Sequence, residues 1–166
     1  MRLVDGEPQV HAAPVKGQLS LFDFRPVARV ICLPMMELHG AAFVRALEGL
    51  KPRVLFDLRR APFFEITGIS REWALNVIHQ NVSTHQRFPL DLRVGVPSVN
   101  RWELVTQVAN FSRALAEEIK HGPLSAVLLM NHSDSLEFFA GMVPPSTELS
   151  FSWRFEAPNG EVIRLC

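Results

Sequence analysis

Two short polar runs carry most of the chemistry that the residue types allow. One is Asp57-Leu58-Arg59-Arg60-Ala61-Pro62-Phe63-Phe64, which continues the apolar run Val54-Leu55-Phe56. A carboxylate interrupting such a run needs a donor partner once buried. On an extended strand Arg59 shares a side with Asp57, and Arg60 points the other way. Two readings follow: Asp57 is paired with Arg59 or caps a neighbouring loop, or both groups face a ligand. Guanidinium groups grip phosphate or carboxylate in bidentate fashion, so that ligand would be a small anion. The second run is Asn131-His132-Ser133-Asp134-Ser135, directly after Ala126–Met130. It offers a serine beside a histidine, but no Gly-x-Ser-x-Gly elbow presents the hydroxyl. Free amides at a helix start there would instead receive an anion. His85 and Arg87 would share one face of an extended His85-Gln86-Arg87, either bordering the same crevice or forming a half-exposed polar edge. The candidate ligand-binding set is therefore Asp57, Arg59, Arg60, His85, Arg87, Asn131, His132 and Ser133, with Asp57 or His132 as acid or base if the protein is a hydrolase-like enzyme.

These residues need elements to hold them. Val30-Ile31-Cys32-Leu33, Val54–Leu58 and Ala126–Met130 are short continuous apolar runs, the pattern of strands buried on both faces. Helical patterns separate them. Phe43, Val44, Leu47 and Leu50 recur at helical spacing, with Gly49 and Pro52 marking the end. Trp73, Ala74, Val77 and Ile78 form a stripe just past Ser70. Asn100 and Glu103 have capping-box spacing ahead of Leu104, Val108, Phe111, Leu115 and Ile119, and Gly122-Pro123 stops that helix. Asp134 and Glu137 repeat the spacing, which makes Asp134 the expected N-cap of a last short helix. With a weaker extended segment near Val82 to Phe88, the order is that of βαβ units. The fold class expected is α/β, a mostly parallel twisted sheet with helices on both faces. In such a sheet ligands bind at the carboxyl ends of the strands, where both polar runs fall.

The two ends of the chain read differently. Residues 1–24 are expected to form an irregular arm, ahead of one α/β domain over residues 25–166. Leu149, Phe151, Trp153, Phe155 and Ala157 alternate with polar residues, and Pro158-Asn159-Gly160 turns the chain, giving a C-terminal antiparallel β-hairpin over residues 149–166. A two-residue turn would set Phe155 opposite Arg164. A three-residue loop with Gly160 at positive φ would pair Phe155 with Ile163 and Trp153 with Leu165, and apolar pairing favours this second register. The face of Phe151, Trp153 and Phe155 either completes the protein's own sheet or docks a second copy or another protein.

Composition narrows the possibilities. Hydrophobic residues make up 48% and charged residues 20%, ordinary globular usage that argues against wholesale disorder. Seventeen basic residues balance seventeen acidic ones, which argues against a broad nucleic-acid footprint. Neither a secretory leader nor an apolar run near the ~20 residues of a membrane span is read, so a cytoplasmic protein is expected. Two cysteines, Cys32 and Cys166, cannot build a disulfide framework or a four-thiolate zinc site. The six histidines show no metal-ligand spacing, and neither a dinucleotide fingerprint nor a Walker loop occurs, so no metal or cofactor is expected.

The run Val54-Leu55-Phe56-Asp57-Leu58-Arg59-Arg60-Ala61-Pro62 resembles the Asp-Val-Arg-x-x-Pro signature of the bacterial "domain of unknown function 488" family, and the order of elements over residues 27–143 is similar. Family members carry a Cys-His-Arg motif after the late strand, where this chain has Asn131-His132-Ser133-Asp134. The resemblance thus implies a fold and a site location and leaves the reaction open.

Overall fold

The computed structural model describes residues 27–93, 100–121, 125–143 and 152–165. The irregular arm expected over residues 1–24, Phe151 and Cys166 lie outside the described residues. The elements are β1 (Val27–Pro34), α1 (Gly40–Leu50), β2 (Val54–Asp57), α2 (Arg71–Asn81), β3 (Thr84–Arg87), α3 (Arg101–Lys120), β4 (Ser125–Met130), α4 (Ser133–Met142), β5 (Ser152–Glu156) and β6 (Val162–Leu165). They form a six-stranded sheet in the order β3-β2-β4-β1-β5-β6. The first five strands in that order run parallel, and β6 returns antiparallel to β5.

Alternation along each buried strand sends side chains to opposite faces and builds two cores. Ile31, Leu33, Leu55, Val127 and Leu129 pack under α1 and α2, against Phe43, Leu47, Ala74, Val77 and Ile78. Val30, Val54, Phe56, Ala126, Leu128, Trp153 and Phe155 pack under α3 and α4. This doubly covered, mostly parallel sheet is the expected α/β fold. Edge-to-face ring contacts run through the second core, from Phe56 to Phe111 (4.9 Å), Phe111 to Phe139 (5.6 Å) and Phe139 to Phe155 (6.1 Å).

Local signals set most helix ends. Ser70 Oγ accepts the Trp73 N–H at 3.1 Å, and Asn100 Oδ1 accepts that of Trp102 at 3.1 Å, as N-caps do. Trp73, expected in the apolar stripe of α2, is 52% exposed, and the helix buries Ala74, Val77 and Ile78 alone. At α1 the cap is His39, whose Nδ1 accepts the Ala41 N–H at 3.2 Å, and the helix closes on Lys51 in the left-handed region (φ 44°). Helix α4 starts earlier than expected. Its N-cap is His132, and Asp134 sits inside the first turn, because the Ser133 N–H is taken at 2.9 Å by Glu37 from the β1–α1 connection.

The C-terminal hairpin needs two corrections. The three-residue loop and the positive φ of Gly160 (84°) are as expected, with the Ala157 N–H on the Glu161 carbonyl at 2.8 Å. A register shift between Phe155 and Glu156 then sets Phe155 opposite Arg164 and Arg154 opposite Leu165, instead of the expected Ile163 and Leu165 partners of Phe155 and Trp153. The unshifted register would face Arg154 with Arg164, two like charges. The shift avoids this, and Arg154 Nε bonds Glu156 Oε1 at 2.6 Å. Secondly, β5 pairs in parallel with β1, so Trp153 (1% exposed) and Phe155 (0%) lie inside the protein's own core. Those two residues are not a docking face for a partner.

Candidate functional site

Carboxyl ends of the parallel strands meet at one edge of the sheet, where Pro34 is level with Met130 and Asp57 with Leu129 and Arg87. The ladder extends past the strands: Leu58 N–H reaches Leu129 O at 3.0 Å, and Leu90 N–H reaches Leu58 O at 2.9 Å. The connections after β2, β3 and β4 are thereby held side by side, and between them opens a cleft of about 750 Å³. Leu58, Leu90, Leu92 and Met130 give it apolar walls, and Arg60, Asp91, Arg93, Asn131, His132 and Asp134 supply polar groups. The turns after Leu58 and Met130 open onto this common space, which is the arrangement a ligand site at the strand ends requires.

The expected site residues divide. Arg60, Asn131 and His132 line the cleft with their neighbours, and Arg59 contributes to its wall. Yet the Arg59 side chain is committed elsewhere. Its Nε and Nη2 donate to the two Asp57 oxygens at 2.8 Å each, Nη1 donates to the Phe63 carbonyl, and the guanidinium lies 4.7 Å from the Phe64 ring centre. Asp57 is 0% and Arg59 2% exposed in their side chains, so this is an internal ion pair that bolts the β2–α2 connection to the strand. Asp57, sealed by these bonds, is not among the residues that line the cleft. His85 and Arg87 also stay off the cleft, on the exposed edge strand β3. Arg87 Nη2 instead supports the Arg60 carbonyl at 3.3 Å. Ser133 faces a separate groove between α4 and the hairpin, with Leu136, Ala140, Val162 and Ile163.

Three cleft or rim residues, Asp91, Arg93 and Glu37, were not read from the sequence, and Ser135 has a role there beyond its place in the second polar run. Asp91 accepts from Arg93 Nε at 2.7 Å and Nη2 at 2.6 Å, and from Arg60 Nη1 at 3.1 Å. The Arg93 hydrogen bonds, reinforced by the charges of Arg93 and Arg60, hold the Asp91 carboxyl below its ordinary value. Ser135 Oγ donates to the Leu92 carbonyl at 3.1 Å and ties α4 to the segment carrying Asp91 and Arg93. Glu37 reaches across from the β1–α1 connection, with Oε1 3.3 Å from His132 Nδ1. Bonds from the Ser133 backbone and side chain, then His132, draw the Glu37 carboxyl below the usual range. A signal for Asp91 and Arg93 was present, since Asp91-Leu92-Arg93 repeats the triplet Asp57-Leu58-Arg59.

Among the described residues no cluster of three or more His, Cys, Asp or Glu side chains is placed to hold a metal ion, and no helix is long and apolar enough to cross a membrane. Cys32 lies buried in β1, and burial pushes its thiol up to about 12, so it serves as a small core side chain. No family model, curated protein or solved structure matches this chain.

Proposed function

We propose that the protein binds a small anionic ligand in the cleft above β2, β3 and β4. The observation that carries this reading is the convergence of Arg60 and Arg93 on one carboxylate beside Asn131 and His132, above an apolar floor. Guanidinium forks fit carboxylate and phosphate oxygens, and the apolar floor suits the body of a small metabolite. Binding carries the assignment ahead of catalysis because Asp57, one of the two groups a hydrolase reading would use, is consumed by Arg59. Kinship with the bacterial "domain of unknown function 488" family, on the Asp57–Pro62 motif and the order of elements, belongs to the same proposal, as does a cytoplasmic setting.

The test is thermal unfolding of the full chain against inorganic phosphate, nucleotides, phosphorylated metabolites and organic acids. A ligand present at about 100 times its Kd stabilises the folded state by about 2.7 kcal/mol, a rise of several degrees in Tm. Arg60→Ala and Arg93→Ala are expected to abolish the rise. Arg59→Ala is unsuitable as the probe, since it would lower Tm with or without ligand. If no anion moves the transition of the wild-type protein, the assignment fails.

A further inference from the structure

Resting on the anion-cleft reading, we infer that the fork made by Arg60 and Arg93 is the ligand's anion seat, and that Asp91 fills it as an internal stand-in which the ligand displaces. The two guanidiniums come from different connections, one after β2 and one after β3, and meet on a single carboxylate within the cleft. The protein thus exhibits with its own side chain the contact that the cleft would offer to a carboxylate or phosphate.

A comparison inside the same molecule supports this. Asp57-Leu58-Arg59 and Asp91-Leu92-Arg93 are the same triplet and make the same two-pronged pair. At the first, both side chains are sealed from water, so parting them would strand two charges. At the second, the side chains of Arg60, Arg93 and Asp91 are 64%, 53% and 25% exposed. Water screens such a pair and solvates either member when it opens, so exchange for an incoming anion is cheap. The held-down carboxyl of Asp91 stays ionised at neutral pH, so competition by ligand, and not protonation, empties the seat. The leucines beside the seat, Leu58, Leu90 and Leu92, favour an oxyanion carried on an apolar or aromatic body.

The experiment is isothermal titration of the full chain at low salt and neutral pH with two probes, phenyl phosphate and benzoate, which separate a phosphate from a carboxylate source. Asp91→Asn, with Asp91→Ser as a second neutral variant, is expected to tighten the preferred probe about tenfold by removing the competitor. Glu137→Gln removes one negative charge from α4 outside the cleft without freeing a guanidinium, and is expected to change affinity less than about threefold. Adding Arg93→Ala to Asp91→Asn should cancel the gain. Unchanged or weaker binding by both Asp91 variants, or an equal gain from Glu137→Gln, would overturn the stand-in role and leave the cleft reading in place. Failure of wild type and all variants to bind either probe would overturn the cleft reading itself.

Discussion

Asp57-Leu58-Arg59 and Asp91-Leu92-Arg93 make the same bidentate contact, the first sealed from water and the second open to it and shared with Arg60. The first pair is fixed because Phe63 and Phe64 fold back over Arg59, one accepting a hydrogen bond through its carbonyl and the other lying under the guanidinium. The alternation of Asp57 and Arg59 was legible in the sequence, and so were the two outcomes it allowed. Choosing between them was not, because the choice depends on a loop that doubles back over the strand. At this scale the expectation is specific. Asp57→Asn leaves a buried guanidinium uncompensated and should cost about 3–5 kcal/mol. Urea unfolding measures it, and a loss below about 1 kcal/mol would mean that Arg59 finds another partner or reaches water.

The connections beyond the strands work together as elements, and one clasp joins two of them. The Gly40 N–H bonds the Thr67 carbonyl at 2.7 Å, and His39 and Thr67 form an isolated bridge between the β1–α1 and β2–α2 connections. Gly68 closes this clasp at φ 90°, and a Cβ there would lie 2.7 Å from the His39 ring. Gly68→Ala should therefore destabilise the fold by about 1–3 kcal/mol through backbone strain, with the ring clash added. An unchanged thermal midpoint would show that the clasp contributes nothing. Strands β1, β2 and β4 were legible because burial on both faces leaves an unbroken apolar run. The edge strand β3 was faint, since its residues are mostly exposed and polar. Asp91 and Arg93 were missed for a related reason: they follow that faint strand, and only a firm strand marks the residues after it as a strand-end loop. The start of α4 was displaced because its first amide is served by Glu37, 96 residues away, which no local pattern encodes.

At the scale of the molecule, the C-terminal hairpin is part of the core. Its alternation was legible, but whether its apolar face turned inward depended on pairing with β1, more than a hundred residues earlier. Deleting residues 152–165 withdraws Trp153 and Phe155 from the core. Loss of one large buried aromatic costs about 3–5 kcal/mol, and whole domains are stable by only about 5–15 kcal/mol. The truncated chain is therefore expected to lose cooperative unfolding and near-ultraviolet dichroism. A sharply melting truncated protein would contradict this. The strand order has one more consequence, for biosynthesis. The earliest described strand to leave the ribosome, β1, pairs only with β4 and β5, while β2 and β3 can join one another much sooner. At roughly 5–20 residues per second, the greasy stretch from Val30 to Leu33 waits roughly 5–20 seconds for its nearer neighbour to be translated. During that interval the stretch has no strand partner, and β1 gains its second neighbour only when β5 follows.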